Sequence, residues 1–421
     1  MFWRGARFQN MARRPASLPP GTRLSDLVAV GVLAKTVPIA SVMRALTNCR
    51  KTSLRERELP AHVVVYYVMA LGLYRNCACR EVLRCLLEGM RWLRGPEIDC
   101  AVTGDSGISQ ARTRLGWEPL RQLHDELVRP VATPDARGAW YRQWRLVSLD
   151  GSTLEVPDTQ ANAEAFGRPH NHKGPGGFPQ IRFVSLAENG THVLFGSRMG
   201  ACRTSEFALA EEALPALGAG MLCMADRLFL CHRLWTKARA NGADLLWRAS
   251  KSFPLPCSER LPDGSYRSVL YPNTSDRRRG RNGVPVRVIE YRLPGIASGE
   301  SLYRLVTSIL DPEQAPAQEL ASLYRDRWEL ETALDELKTH LRGARIVLRS
   351  KTPDLVRQEF YGLMLTHFAI RGLMQEAALR ADEDPDQLSY THTVRILRRR
   401  LPQFTAIPPS APGNSAPEHH P

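Results

Sequence analysis

The sequence predicts a mixed α/β (α+β) fold, and three observations carry this prediction. From Thr22 to about residue 130, apolar residues recur at steps of three and four, which is the period of helices. From Trp144, short runs rich in apolar and β-branched residues indicate strands. Beyond residue 200, helical and strand patterns alternate, as expected of a sheet with helices packed on its faces.

The composition favours a nucleic-acid partner. The chain of 421 residues carries 57 Lys and Arg against 43 acidic residues, and the resulting net charge of +14 suits a polyanion. The longest apolar run, Val63 to Tyr74, is too short to span a bilayer. Residues 1–15 lack the apolar core of a secretory signal. We therefore expect a cytoplasmic, nucleoid-associated protein of bacterial type with no membrane partner.

Residues 21–130, after a flexible basic lead at 1–20, are predicted to form a helical N-terminal DNA-binding domain. Its side chains Arg112, Arg114 and Arg121 are candidate phosphate contacts, although each of them is equally well explained as an ordinary surface charge. Gly and Pro separate the helical segments. The predicted helices run from after Pro60 to about Tyr74, from Arg80 to Leu93, from Ser106 to Leu115 and from Pro119 to about Val128.

Residues 140–250 carry the pattern of a sheet. The segment from Trp144 to Asp150 is a predicted strand that ends in Asp-Gly, where we expect a turn. Two further strands flank Asn189-Gly190, a strong hairpin signal. Gly220 to Asp226 is apolar up to its terminal carboxylate, as in a strand covered on both faces. A helix and a strand then complete a β-α-β unit, and this order of elements predicts the first part of a ribonuclease H-like core.

Residues 251–310 are predicted to be an inserted, mainly β subdomain, because three runs alternate like exposed strands and none carries a helix signal. The basic residues Arg277, Arg278, Arg279 and Arg281 of this insertion are candidate DNA contacts. Three predicted regions complete the chain: the last part of the core at 311–350, a C-terminal helical region at 351–402, and a disordered tail rich in Pro at 403–421.

Residues 324–338 contain no Gly or Pro and many strong helix formers, which predicts a single helix. At about 100° per residue, four polar residues of this helix fall within an arc of about 60° and form one stripe. An ordinary amphipathic helix would show similar charges, with an i,i+4 ion pair contributing a few tenths of a kcal/mol. The four residues are Tyr324, Arg327, Glu331 and Lys338.

Three acidic residues from separate elements, Asp150, Asp226 and Glu331, are the candidate catalytic and metal-binding residues. Cleavage of a phosphodiester is assisted by two Mg²⁺ about 4 Å apart, one activating the nucleophile and the other stabilising the leaving oxygen. Mg²⁺ prefers oxygen ligands and retains waters, so three carboxylates suit it, and we expect Mn²⁺ to substitute. A single Asp at a strand end is more often a turn residue, but three acids in this order favour a metal site.

The spacing Tyr-x2-Arg-x3-Glu-x6-Lys of the polar stripe resembles the defining motif of the insertion-sequence DDE transposases of the fourth family. The Arg-Trp-x-x-Glu centre of the stripe matches that motif as well. Asp150 stands in an Asp-Gly-Ser context like the first acid of the family, and Asp226 lies in Asp-Arg-Leu-Phe, close to the Asp-Arg-x-Phe of the family. The opening third resembles the amino-terminal domain of the same family, so the resemblance covers roughly residues 20–400.

The resemblance implies cut-and-paste transposition of an insertion sequence, through strand cleavage, a DNA hairpin and joining to target DNA. It implies that Tyr324, Arg327 and Lys338 contact phosphates of the terminal inverted repeats, and Arg227 beside the second acid is a further candidate. It also implies that a flipped base stacks on Tyr303, although a strand tyrosine packing on its neighbour fits that position equally well. Cleavage of two ends in one complex implies a dimer on DNA.

Two other functions are compatible with parts of this pattern. A stand-alone ribonuclease H-like nuclease would use the same three acids without needing a helical front domain. A non-catalytic DNA-binding inhibitor of transposition would lack one of the acids or the front domain. The sequence contains all three acids and the front domain, which argues against this function. The pattern as a whole therefore favours an active transposase.

Overall fold

The computed structural model describes residues 31–53, 59–75, 77–94, 104–171, 174–175, 177–292, 302–325, 328–341, 347–385 and 388–399. The predicted lead at 1–20, the predicted tail at 403–421 and Arg327 lie outside these residues. Within the described ranges, no helix is both long and apolar enough to cross a membrane.

The N-terminal part of the chain is helical, and all four helices predicted there are confirmed with ends within one residue of the prediction. The long C-terminal helix is confirmed as well. The helices are α1 (Ile39–Asn48), α2 (Ala61–Leu73), α3 (Cys79–Arg94), α4 (Asp105–Leu115), α5 (Glu118–Leu127), α6 (Gln160–Phe166), α7 (Glu206–Ala213), α8 (His232–Ala240), α9 (Thr274–Arg279), α10 (Ala317–Arg325), α11 (Trp328–Asp335), α12 (Pro353–Ala381) and α13 (Tyr390–Arg399).

The described strands form one large sheet and one separate pair. In the large sheet, β2 pairs antiparallel with β5 and parallel with β7, β7 pairs parallel with β8, and β5 and β6 form the predicted hairpin. This meander followed by parallel strands confirms the ribonuclease H-like core. The strands are β1 (Trp140–Tyr141), β2 (Trp144–Glu155), β3 (His170–Asn171), β4 (Gly174–Pro175), β5 (Gln180–Glu188), β6 (Val193–Ala201), β7 (Met221–Ala225), β8 (Asp244–Ala249), β9 (Glu259–Arg260), β10 (Tyr266–Leu270), β11 (Val284–Tyr291) and β12 (Tyr303–Thr307).

The strands of the insertion continue the large sheet beyond β8. β12 pairs antiparallel with β8, and β11, β10 and β9 follow in turn. The expectation that this region contains no helix is wrong, because Thr274–Arg279 forms α9. The Asn273 side chain caps α9 by accepting a hydrogen bond from the Asp276 amide, and Gly280 ends the helix in the left-handed conformation. Both caps are local helix signals, but the alternating pattern of the neighbouring strands led to a strand prediction for the whole region.

The predicted turn after Asp150-Gly151 is also wrong, because β2 continues to Glu155. Its pairing with β5 runs from Val147 to Glu155, and Leu154 is buried in the large core. A Cβ on Gly151 would lie 3.1 Å from the carboxyl carbon of Glu206, so the small residue here accommodates a close contact within a strand. Asp150 therefore lies in the middle of β2 and not at its end.

The two faces of the sheet have separate hydrophobic cores. Val147 and Leu149 of β2 face a large core that also contains α12 and the N-terminal helices. Leu146 of β2 and Leu222 of β7 face a smaller core that contains α10. Because successive strand side chains alternate between faces, Asp150 lies on the same face as Leu146.

The large core joins the helical module (residues 31–127) to the sheet through α12, which packs against both α2 and β6. Every residue of α2 from Val63 to Leu73 is buried. Where α2 and α12 cross, a Cβ on Gly362 would lie 2.7 Å from Cγ1 of Val68 and 3.1 Å from its carbonyl oxygen. Glycine at this position allows the two helix backbones to approach closely.

The stretch predicted as one helix over 324–338 contains parts of two helices and a wider turn. α10 ends at Arg325 and α11 begins at Trp328. From Glu336 to Leu341 the backbone forms a π-helical turn. We refer to residues 328–341 as the motif helix. Turns of the π type are rare and are often found at functional sites, so the departure from a regular helix falls where the sequence places the chemistry.

Candidate active site

The first two acids are neighbours across a pair of parallel strands. In the register of β2 and β7, Leu149 pairs with Ala225, so Asp150 and Asp226 occupy the next positions on the two chains. Parallel strands lie about 5 Å apart, which is the expected separation of these two backbones. Asp150 is four residues after Leu146, and Asp226 is two residues after Met224. Leu146 and Met224 both belong to the smaller core, so by strand alternation both acid side chains lie on the face covered by α10.

The third acid shares a cleft with the first. A cleft of about 580 Å³ is lined by Asp150 and Ser152 of β2 and by Glu331, Thr332 and Lys338 of the motif helix. We refer to it as the acidic cleft. Glu331 and Thr332 are exposed, whereas Ala333 and Leu337 are buried and Leu334 is buried at the wall of the cleft. The amphipathic pattern of the helix therefore presents Glu331 and Lys338 to the cleft.

Asp226 is half-buried and lies beside a cation that the sequence analysis missed. Nη1 of Arg248 is 3.7 Å from Oδ1 of Asp226, an oxygen that accepts no hydrogen bond. Arg248 follows Trp247, which pairs with Ala225, so the strand register places it beside the acid. The sequence does place Arg248 in the predicted strand that follows the second acid. The strand pattern alone does not show which residue of that strand faces Asp226.

Arg248 also connects the second acid to Tyr303. The guanidinium carbon of Arg248 lies 4.6 Å from the centre of the Tyr303 ring, a cation–π contact. The Tyr303 ring stacks on Tyr291 with centroids 5.5 Å apart. Tyr303 thus packs on its strand neighbour, and through Arg248 it also belongs to the surroundings of Asp226.

The remaining residues of the predicted stripe have different environments. Tyr324 is 7% exposed, and its hydroxyl donates a hydrogen bond of 3.2 Å to the carbonyl of Ala225, the residue before the second acid. Tyr324 therefore supports the end of β7, and its predicted phosphate contact stays a prediction. Lys338 is half-buried in the acidic cleft, and Arg227 is exposed beside the second acid. Arg327 lies outside the described residues.

The other candidate DNA contacts divide between surface and core. The insertion residues Arg277, Arg278, Arg279 and Arg281 are all exposed. In the helical module Arg114 is exposed, whereas Arg112 is only 6% exposed. Nε of Arg112 donates to Gln358 at 2.8 Å, and Nη2 donates to Ser350 at 2.9 Å. Arg112 is therefore a bridge between helices, and its interpretation as a phosphate contact is wrong.

The arrangement of carboxylates fits divalent cations held by pairs of acids. Asp150 and Asp226 are adjacent by register, Asp150 and Glu331 share the acidic cleft, and Oδ1 of Asp226 accepts no hydrogen bond. In the described part of the chain, no three ligand-type side chains already surround one point. Mg²⁺ does not require such a cage, because it is usually bound by one or two carboxylates and keeps several waters. The donor set therefore suits Mg²⁺ or Mn²⁺ better than a structural zinc ion.

A ribonuclease H-like sheet with acids at these positions defines the class of metal-dependent enzymes that cut and join nucleic-acid strands. Comparison with known proteins identifies the family. Residues 143–369 match the model of the transposase DDE domain, and residues 27–125 match the model of the insertion element 4 transposase N-terminal domain. The chain belongs to the family of insertion element 4 DDE transposases and is an enzyme of DNA transposition.

Two relatives by sequence agree with this assignment, and one solved structure is similar in part. The transposase InsG for insertion sequence element IS4 of Escherichia coli (strain K12) is 26% identical over 364 residues, which span 86% of this chain and 80% of the relative. The putative transposase InsZ of the same strain is 24% identical over 241 residues, which span 55% of this chain and 73% of the relative. A piggyBac transposase in a synaptic complex with hairpin DNA aligns over 89% of this chain and 79% of its own, with a TM-score of 0.45 and 12% identity.

Proposed function

We propose that the chain moves an insertion sequence by a cut-and-paste route, with Asp150, Asp226 and Glu331 holding two Mg²⁺ at the DNA strand that is cut. The observation that carries this proposal is the register of β2 and β7, which sets two acids side by side, together with the cleft that Glu331 shares with the first. When bound, such ions lower the pKa of the attacking water or hydroxyl and stabilise the leaving oxygen. Mn²⁺ would substitute, because it accepts the same oxygen ligands.

The cations around the acids would hold the DNA backbone. Lys338 in the acidic cleft would act as a point charge, and Arg227, which is exposed beside the second acid, would contact a phosphate there. Arg327 would grip a phosphate with its planar fork, and Tyr324 would add a contact if its hydroxyl leaves the Ala225 carbonyl. These contacts position the scissile bond without reading sequence.

Aromatic and basic side chains of the insertion would hold the DNA next to the cut. Tyr303 would stack on an unpaired base by exchanging its contact with Tyr291, while Arg248 stays packed on the Tyr303 ring. The exposed cations of the insertion would extend the contact along the transposon end. They are Arg277, Arg278, Arg279 and Arg281.

The proposed reaction proceeds by successive exchanges of one P–O bond for another. Water attacks the phosphorus at the transposon end and releases a 3′ hydroxyl. That hydroxyl attacks the opposite strand, which forms a hairpin and releases the flanking DNA, and a second water reopens the hairpin. The 3′ hydroxyl then attacks target DNA. Because the bonding change is the same each time, one set of acids serves every step.

Two parts of the proposal concern the assembly. A dimer would hold the two terminal inverted repeats together, because both ends of the element must be cut before it is joined to the target. The setting would be the bacterial-type nucleoid in the cytoplasm, where donor and target DNA both lie. The net charge of +14 favours association with both polyanions.

The test uses DNA that carries the inverted repeats flanking the gene. Asp150→Asn, Asp226→Asn and Glu331→Gln should each reduce cleavage by about a thousandfold or more, as the loss of one member of a cooperating catalytic set does, while binding in a gel-shift assay persists. Glu206→Gln is the matched control, because Glu206 of α7 is an acid that packs against Gly151 of β2 and is not one of the three proposed ligands, so it should have no effect on cleavage. Any of the three variants cleaving at the wild-type rate would exclude that residue.

A second arm of the same experiment adds target DNA and both transposon ends. Products in which a transposon end is joined to target DNA support the proposed route. Cut ends that are never joined would favour the stand-alone nuclease. Denaturing gels that resolve hairpin ends from open ends decide whether the hairpin step takes place.

A further inference from the structure

A buried charged cluster lies behind the motif helix, outside the acidic cleft. The carboxylate of Glu336 accepts two hydrogen bonds from Arg371 of α12, one from Nε at 3.0 Å and one from Nη2. Nη2 of Arg371 also lies 2.6 Å from Nδ1 of His192, which therefore accepts, because a guanidinium can only donate. His367 lies 3.9 Å from Glu336. Tyr390 of α13 covers the guanidinium of Arg371 at 5.2 Å.

All members of this cluster are withdrawn from solvent. Glu336 and His192 are each 6% exposed, Arg371 is 2% exposed, and His367 is fully buried. Burial alone would raise the pKa of Glu336, but the neighbouring rings of His192 and His367 and the charge of Arg371 outweigh it and hold that pKa well below its usual range. Glu336 is therefore ionised at neutral pH and paired with Arg371.

Glu336 and the cleft residues lie on opposite sides of one helix. Glu336 is five positions after Glu331, which corresponds to about 140° around an α-helix, whereas Lys338 lines the same cleft as Glu331. Glu331 is exposed to the cleft and Glu336 is buried. A rotation of the helix that breaks the pair on one side must therefore move both cleft side chains on the other.

The pair is not explained by stability alone. Removing two charges from water costs several kcal/mol, and apolar residues of similar volume often replace a buried ion pair without loss of stability. A bidentate Arg–carboxylate pair supplies a fixed geometry that apolar contacts lack. The other buried residues of the motif helix, Ala333, Leu334 and Leu337, make apolar contacts that tolerate small rotations.

We propose that Glu336 and Arg371 are positioning residues, which fix the rotation of the motif helix so that Glu331 and Lys338 face the acidic cleft. The inference rests on the proposed role of Glu331 as a metal ligand. Arg371 also contacts His192, which lies in the loop between β5 and β6 of the large sheet. The cluster therefore fixes the orientation of the motif helix relative to the sheet that contains Asp150. The π-helical turn begins at Glu336, where the pair is made.

The test measures metal dependence and not only activity. Arg371→Lys keeps the charge but loses the bidentate geometry, and the double variant Glu336→Leu/Arg371→Met removes both charges at similar volume. Each should raise the Mg²⁺ concentration for half-maximal cleavage of transposon-end DNA by about tenfold. Each should also weaken Mn²⁺ binding to the DNA-free protein, measured by electron paramagnetic resonance, by a similar factor. End binding in a gel-shift assay should stay within about twofold of wild type.

Two further variants separate positioning from stability and from the proposed function. Arg75→Lys alters another buried Arg–Glu pair, with Glu359 of the same α12 at 3.9 Å, away from the motif helix. It should lower the melting temperature while leaving the Mg²⁺ requirement at the wild-type value. Glu331→Gln tests the metal ligand itself, so its retention of cleavage and of Mn²⁺ binding would refute the proposed role of Glu331 independently of Glu336.

The inference is overturned by either of two results. One is a wild-type Mg²⁺ requirement and Mn²⁺ affinity in Arg371→Lys or in the double variant while Glu331→Gln is inactive. The other is a rise in the Mg²⁺ requirement that follows the melting temperature equally in Arg75→Lys, because the effect would then be general destabilisation. If Arg371→Lys fails to fold, the double variant alone decides, since it leaves no buried charge unpaired.

Discussion

Among single residues, Arg248 sets the charge balance of the second acid. Its guanidinium lies 3.7 Å from Asp226 and would compete with the proposed metal ion for that carboxylate. Both side chains are partly exposed, so the ion pair contributes about 1 kcal/mol, which corresponds to about a fivefold change in the affinity for Mg²⁺. Arg248→Met should therefore lower the half-saturating Mg²⁺ concentration by about fivefold. Cleavage at saturating Mg²⁺ should nevertheless fall, because Tyr303 loses the guanidinium stacked on its ring.

A Mg²⁺ titration of the cleavage rate checks this prediction. Arg182→Met is the control, since Arg182 lies 3.8 Å from Glu206 and does not contact Asp226. It should change neither the Mg²⁺ requirement nor the maximal rate. An unchanged or raised Mg²⁺ requirement in Arg248→Met would contradict the proposed competition.

The sequence identified the acids but not their partners, and the reason is physical. Asp150 and Asp226 follow apolar runs, and the order of the runs predicts neighbouring strands, so their proximity was predictable. Arg248 and Tyr303 meet only because β8 pairs with both β7 and β12 in particular registers. Register depends on packing across the whole sheet, and a single strand pattern does not contain it. For the same reason, nothing local distinguished buried Arg112 from a surface cation.

Among the elements, the crossing of α2 and α12 depends on one glycine. A Cβ on Gly362 would lie 2.7 Å from a methyl carbon of Val68 and 3.1 Å from its carbonyl oxygen, which belongs to a helix backbone. Gly362→Ala should therefore lower the free energy of unfolding by about 1–3 kcal/mol, the usual cost of overpacking. Gly372→Ala lies on the same helix with no atom within 4 Å of the new Cβ, and should stabilise by up to about 1 kcal/mol.

Urea unfolding of both variants measures the difference. Equal stabilities for Gly362→Ala and Gly372→Ala would show that the two helices can separate at no cost, contrary to the close crossing. The boundaries of the N-terminal helices were predictable, because periodicity and the positions of Pro and Gly are local signals. The turn assigned after Asp150 was not, because a glycine that accommodates Glu206 has the same sequence signature as a glycine in a turn. The π-helical turn begins at Glu336, and the partner of Glu336, Arg371, is 35 residues away, so no local pattern shows the pair.

In the whole molecule, one continuous core joins the helical module to the catalytic sheet. The module packs on α12, and α12 packs on β6 of the same sheet that carries Asp150. A module that shares a core with the sheet cannot rotate freely against it. DNA bound on the module would therefore be held at a fixed angle to the acidic cleft, which would place the transposon end at the acids without a separate docking step.

Two arginines of the helical module, two positions apart, separate stability from DNA binding. Arg112→Ala should lower the free energy of unfolding by about 3 kcal/mol or more, since Gln358, Ser350 and the Leu355 carbonyl all lose a buried donor. Its DNA affinity should keep the wild-type salt dependence. Exposed Arg114→Ala should leave the melting temperature unchanged and reduce the slope of log affinity against log salt by about 1, if this side chain contacts a phosphate. A reduced slope in Arg112→Ala with unchanged stability would instead place that buried residue on the DNA, contrary to its burial between α4 and α12.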